Sequence, residues 1–138
     1  MVMQARGIRN NNPLNIRKGC NWRGERGVQL DREFEEFESM EYGIRAAIKL
    51  VCNHINGQTG RHKPCTNLVQ LIETWAPPTE NNTGAYIKTV EELTGINRYQ
   101  RIYANNREMV SRIVMAMAKV ETGVSLDANL VRSAWDLL

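Results

Sequence analysis

The 138-residue sequence predicts an α+β fold that is mainly helical, with a small β-lobe over about residues 13–39 and a helical lobe over about residues 40–138. Two observations support this prediction. A glycine-punctuated stretch near the N-terminus carries alternating apolar residues, and five later segments carry apolar residues at helical spacing. The length suits one compact domain, so we expect residues 1–138 to fold as a single unit.

The predicted β-lobe begins after a turn-rich segment. Pro13 excludes a continuous helix from Arg6 to Arg17, and Leu14–Arg17 is expected to enter a short strand. Trp22–Gly27 is a candidate hairpin turn, and Val28–Phe37 alternates imperfectly and is expected to form the return strand. The lobe would therefore contain two or three strands.

About five helices are expected after residue 40, each with residues that cap or stop it. The predicted elements, with these residues in parentheses, are Glu41–Asn56 (Gly57), Leu68–Trp75 (Thr66, Pro77, Pro78), Ala85–Leu93 (Thr83, Gly95), a fourth helix from Asn105 or Asn106 to Glu121, and a last helix capped by Asp127.

Composition and charge exclude several classes of function. The net charge of +3 suits a polyanionic partner such as a bacterial cell wall but is too small to predict nucleic-acid binding. The basic residues 61–63 lie in a Gly-rich connection and are interpreted as a solvated loop. No run is apolar enough to span a membrane, and the N-terminus lacks the hydrophobic run of a signal peptide.

The three cysteines predict neither a metal site nor a cofactor. Cys20, Cys52 and Cys65 lack metal-ligand spacing, so they are expected to be free thiols of a protein made in a reducing cytosol. A Cys52–Cys65 disulfide formed after export is the alternative.

Glu121 is the first candidate for chemistry. Val110, Val114, Met117 and Glu121 recur at helical spacing, so a carboxylate stands where a buried aliphatic residue is expected. Gly123 is expected to end the helix, which places Glu121 in the last turn. Burial and the helix dipole there both favour the protonated carboxyl, the form that a general acid needs. The alternative is a glutamate that frays into solvent.

Asparagines and two aromatic residues are candidates for binding a sugar. Amide side chains suit sugar hydroxyls and N-acetyl groups, and aromatic faces stack on sugar rings. We predict substrate contacts at Asn11, Asn12, Asn15, Trp75 and Asn82, and we expect Tyr86 to position water or a substrate group. The alternatives are that turns use the asparagines for left-handed backbone, that Trp75 lies in the core, and that Tyr86 lies on a half-buried helix face.

Acidic residues crowd the predicted β-lobe, at Glu25, Asp31, Glu33, Glu35, Glu36 and Glu38. Glycoside cleavage commonly uses two carboxylates. Glu25, at the predicted hairpin tip, is the candidate for the second one. Alternating strand positions mostly face water, so most of these acids are expected to form a solvated face.

Several motifs together resemble a known family. GIRNNNPLNIR, a W-x-G turn, FEEFES, a GIRA helix start and WAPPTENNTxxY, within about residues 6–90, resemble a phage and prophage family often labelled virion or structural proteins and thought to be lysozyme-like. They are also distantly similar to flagellar-type glucosaminidases. In those enzymes the catalytic Glu, in an E-S/T-G motif, precedes the Asn-rich stretch. Here A-x-x-E-T-G stands near the C-terminus, so a circular permutation would give Glu121 that role.

The resemblance implies a lysozyme-like fold and cleavage of peptidoglycan glycan strands, with Glu121 as general acid. Hydrolysis and lytic transglycosylation both stay open, as does the bond that is cut. The alternative is a non-catalytic virion structural or wall-binding module. We expect a monomer that is made in the bacterial cytoplasm and reaches the wall through a phage-made lesion, a virion or a secretion device.

Overall fold

A computed structural model describes residues 4–58 and 63–138. Arg61 and His62, which belong to the predicted solvated loop, lie outside these residues. The described part of the chain contains the helices α1 (Arg6–Arg9), α2 (Met40–Asn56), α3 (Leu68–Trp75), α4 (Thr83–Thr94), α5 (Arg107–Thr122) and α6 (Ala128–Asp136).

The five long helices confirm the apolar periodicity. α3 has the predicted bounds, Gly95 and Gly123 end α4 and α5 with φ of 73° and 75°, and Asp127 caps α6. Two caps differ from the prediction, because asparagine takes the position next to the predicted threonine. Asn67 accepts a hydrogen bond from the backbone N–H of Gln70, and Asn82 accepts one from that of Ala85.

The predicted α+β, lysozyme-like fold with a β-lobe is wrong. Half of the described residues are helical, 3% are in β-conformation, and they form no sheet. Two isolated antiparallel bridges, Arg17 with Phe34 and Glu25 with Phe37, stand where the lobe was expected. A circular permutation of that fold therefore has no basis in the described structure.

The alternating pattern led to a wrong prediction because two of its apolar residues are exposed and three of its acidic residues are buried. Val28 and Leu30 are 73% and 82% exposed, whereas Asp31, Glu35 and Glu36 are buried. The predicted solvated acidic face is therefore also wrong for these three acids. Asp31 and Glu36 can be buried because they accept hydrogen bonds from polar groups inside the fold, and these bonds replace those of a strand ladder.

Residues 10–39, which we call the polar segment, are held by these side chains. Arg6 donates two hydrogen bonds of 2.6 Å to the Asp31 carboxylate, which also accepts from Asn10 and from the backbone N–H groups of Glu33 and Phe34. Glu36 accepts from the backbone N–H groups of Leu30 and Asp31. This segment is thus ordered mainly by side chain-to-backbone bonds.

The chain divides into two compact units. The terminal unit consists of the described residues up to Lys49 together with Met117–Leu138, and its fully buried side chains include Leu14, Phe37, Ile44 and Met117. The central unit is Leu50–Ala116, in which α3 packs against α4. Its fully buried side chains include Leu68, Leu71, Ile72, Val90 and Ile113.

Three further findings concern the classes of function considered above. Among residues 4–58 and 63–138, no helix combines the length and apolar character needed to cross a bilayer. The same residues contain no group of three or more His, Cys, Asp and Glu side chains arranged around a metal-sized space. The three cysteines are free thiols, and burial raises the pKa of Cys52 and Cys65.

Candidate functional site

The terminal unit brings together two residues that are 106 positions apart, Asn15 and Glu121. Glu121 lies half-buried in the last turn of α5, and Asn15 Nδ2 donates a hydrogen bond of 3.1 Å to Glu121 Oε1. A glutamate held in this way does not fray into solvent, so that alternative is wrong. The helical stripe does end on a partly desolvated carboxyl that is fixed by an amide.

The position of Asn15 is set by Asn12. Asn15 has left-handed backbone with φ of 52°, and its N–H donates to the carbonyl of Asn12. The Asn12 side chain donates to the carbonyls of Ile16 and Glu35 and accepts from the Ile16 N–H. Asn12 is 0% exposed. It therefore holds the turn and has no free surface with which to contact a sugar, which argues against its predicted binding role.

Helix α1, where we expected only turns, packs against the same turn. A Cβ built on Gly7 would lie 2.8 Å from Asn15 Oδ1 and 2.9 Å from the Thr122 methyl group. Only glycine fits so close an approach. Asn15 Oδ1 is buried there and has no hydrogen-bond partner among the described residues.

Asn11 also serves the fold. Its φ is 53°, and its side chain donates a 3.1 Å hydrogen bond to the carbonyl of Phe37. Its own carbonyl lies against Gly43 of α2, where a Cβ would overlap the oxygen. Turn geometry and close packing thus account for Asn11 and Asn12, whereas Asn15 faces a titratable group.

Glu25 is a neighbour of Glu35, a carboxyl that the sequence predicted to be solvated. Glu35 is 4% exposed, and its carboxyl hydrogen bonds with that of Glu25. Burial, together with this bond and the Glu25 charge, raises the pKa of Glu35 to about 7, against the opposing charge of Lys18. Glu25 also accepts a hydrogen bond from the backbone N–H of Trp22. No periodicity signals this pair, because the residues meet through the folding of the polar segment.

The other three candidates belong to the central unit. Trp75 ends α3 half-buried, and its ring meets that of His54 edge to face with centroids 6.0 Å apart. Asn82 caps α4, which gives it a structural task. Tyr86 is 6% exposed on α4, so the half-buried face considered for it is in fact buried. The catalytic role of Tyr86 stays a prediction.

Comparison with known proteins shows the family to which the chain belongs. Protein P5 of Pseudoalteromonas phage PM2 is 37% identical over 123 residues, which cover 86% of this chain and 72% of that protein. The chain belongs to the family of this phage protein. No protein-family model matches the chain. The phage connection suggested by the sequence motifs is therefore confirmed, and the name of the relative states no activity.

The arrangement around Glu121 suits proton transfer. A half-buried carboxyl at a helix C-terminus is positioned by an amide that can donate or accept, and this amide packs closely against Gly7. These are the elements that a general acid or base requires.

Proposed function

We propose that this phage-family protein cleaves the glycan strand of peptidoglycan, with Glu121 as the general acid. The observation that carries the proposal is the hydrogen bond from Asn15 to the half-buried carboxyl of Glu121. A glutamate that is only a solvated surface residue would not be held by a buried turn that lies more than a hundred residues earlier in the chain.

Asn15 has the chemistry to support both states of an acid. In the observed arrangement Nδ2 donates to Glu121 Oε1, and Oδ1 is buried without a partner among the described residues. A half-turn of the amide would direct Oδ1 toward Glu121, where it can accept from the protonated carboxyl. The same side chain can thus orient Glu121 before and after it releases its proton.

In the proposed reaction, protonated Glu121 donates to the glycosidic oxygen as the bond between that oxygen and the anomeric carbon breaks. Water, or a hydroxyl of the same sugar, then attacks the anomeric carbon and returns a proton to Glu121. Attack by water gives hydrolysis, and internal attack gives an anhydro sugar. Glu25, which belongs to the same unit as Glu121, is the proposed second carboxylate.

The test compares Glu121→Gln with wild type in clearing purified cell walls stripped of outer membrane. Loss of a general acid should slow clearing by about 10²–10⁴-fold. The matched control is Glu108→Gln, which removes an exposed carboxylate from the same helix, where it pairs with Arg112 at the surface. It should clear walls at close to the wild-type rate.

The products and the negative outcomes are equally informative. Mass analysis of the released fragments distinguishes hydrolysis from anhydro-sugar formation, because the products differ by one water. Equal clearing by wild type and Glu121→Gln would reject Glu121 as the acid. Binding to walls without clearing by wild type would reject catalysis and support a structural or wall-binding module of a virion.

A further inference from the structure

The carboxyls of Glu25 and Glu35 meet in a setting that cannot easily hold two negative charges. Glu35 is 4% exposed, and its Oε2 receives no hydrogen bond from an N–H or O–H donor among the described residues. The carboxyl of Glu25 is its neighbour, and burial together with this neighbour raises the pKa of Glu35 to about 7. Trp22 Nε1 is also buried without a hydrogen-bond partner among the described residues.

The backbone of Glu35 is bonded directly to the turn below the candidate site. Its N–H donates to the carbonyl of Ile16 at 2.9 Å, and its carbonyl accepts from Asn12 Nδ2 at 3.0 Å. Asn12 in turn accepts from the N–H of Asn15, whose amide contacts Glu121. Two hydrogen-bonded steps therefore connect the carboxyl pair to the residue that orients Glu121.

We propose that the buried carboxyl of Glu35, beside Glu25, acts as a pH-sensitive lock on the turn that presents Asn15 to Glu121. While Glu35 is protonated, its buried carboxyl carries no charge and the polar segment keeps Asn12 in place. When that proton is lost, a buried charge on Glu35 faces the carboxyl of the half-buried Glu25, and Lys18 is the cation near Glu35 that opposes this destabilisation. Glu35 is thus a positioning residue that acts through Asn12 and Asn15.

The direction of the pH dependence follows from linkage. The pKa of Glu35 is about 7 in the folded protein and near 4.5 when the segment opens. Between these values the closed segment holds a proton that the open segment has released, so closing becomes less favourable as pH rises from about 4.5 to 7. Below and above this window the contribution of the pair is constant. The lock is therefore tight in mild acid and weaker in mild alkali.

The first test is the carboxyl ¹³C titration of Glu35 in the intact chain. A midpoint near 7 is expected, and a midpoint near 4.5 would overturn the lock. This measurement needs no variant, so it decides the question even if substitutions at Glu35 prevent folding.

The second test is amide hydrogen exchange of Glu35 and Ile16 at pH 5 and pH 8, corrected for intrinsic rates. Wild type should lose at least about tenfold protection at pH 8, since one pKa unit is a tenfold change in an equilibrium constant. Glu35→Gln keeps a donor toward Glu25 without the titration, so its protection should change less than about twofold. Glu38→Gln, an exposed carboxylate in the same segment, should behave as wild type.

Equal losses of protection in wild type and Glu35→Gln would overturn the lock. The effect on catalysis rests on the proposed function, and wall clearing should fall more between pH 6 and 8 for wild type than for Glu35→Gln. If no protein clears walls, the proposed function fails, while the titration and exchange results still decide the lock.

Discussion

The polar segment and the α3–α4 pair are ordered by different forces. In the central unit, α3 and α4 bury Leu68, Leu71, Ile72 and Val90, and their ends are capped by local residues. The polar segment buries Asn10, Asn12, Asp31, Glu35 and Glu36 and has two isolated β-bridges. All three buried side-chain atoms that lack a partner among the described residues also lie in the terminal unit.

The two regions differ in how strongly their structures depend on particular side chains. An apolar helix pair tolerates change of similar volume, because dispersion and burial are not directional. A buried polar network depends on the direction of each bond, and a group that loses its partner carries the full cost of desolvation. The candidate site belongs to the region held by a buried polar network, which suits a function that needs fixed geometry.

The largest contrast is expected from one substitution made in both regions. Gly43→Ala in α2 places a Cβ onto the Asn11 carbonyl, so it should destabilise by about 3 kcal/mol or more. Gly84→Ala in α4 meets no atom within 4 Å and should stabilise by up to about 0.5–1 kcal/mol, because alanine favours helix.

Urea unfolding of both glycine variants measures the difference. A Gly43→Ala protein as stable as wild type would show that the polar segment can move away from α2, and the directional account of this region would fail.

A smaller contrast is expected from two asparagines that the sequence assigned to sugar binding. Asn12→Ala removes three buried hydrogen bonds and should cost about 2–4 kcal/mol. Asn82→Ala removes one helix cap in the central unit and should cost about 1 kcal/mol. Thermal unfolding followed by circular dichroism tests the order of the two, and a larger cost at Asn82 would contradict it.

The smallest effect is expected from acidification, which protonates Asp31 in its pair with Arg6. Arg6, followed by Asn10 and two backbone N–H groups, holds the pKa of Asp31 far below its usual value. Asp31→Asn should cost about 1–2 kcal/mol at pH 6, a value discounted because Arg6 is 40% exposed. A carboxyl with a lowered folded pKa contributes stability above its unfolded pKa, near 3.8, and loses it as pH falls toward the folded value.

The gap between wild type and Asp31→Asn should therefore shrink from pH 6 to pH 2. Denaturant midpoints at these pH values measure it, and Asp136→Asn, exposed at the end of α6, controls for the loss of one charge. A gap that is constant with pH would contradict the ionised Arg6–Asp31 pair.

The success of sequence reasoning differed between the same two regions. The bounds of α3 were predicted to the residue because its apolar spacing and the prolines that follow it are local signals, although its cap is Asn67 and not the predicted Thr66. Val28–Phe37 was wrongly predicted as a strand because alternation does not reveal which face finds partners. Leu30 is exposed and Glu36 buried, since the backbone N–H groups of Leu30 and Asp31 bond to Glu36.

The candidate site was predicted in part. A glutamate closing an apolar stripe is visible in the sequence, and so is the Asn-rich turn. Asn15 could not be separated from Asn11 and Asn12 without the structure, because all three have the same chemistry and two share left-handed backbone. Glu35 was assigned to solvent, since its burial depends on Glu25 and on the backbone of Ile16.

The five long helices and their approximate ends could be predicted from the sequence alone, because periodicity and helix-stopping residues act over one or two turns of chain. The carboxylate at the end of the α5 stripe was also visible there. The contacts of Asn15 with Glu121 and of Glu25 with Glu35 exist only in the folded chain. Those contacts depend on the path of a segment held by directional hydrogen bonds between residues far apart in the chain, for which no local pattern exists.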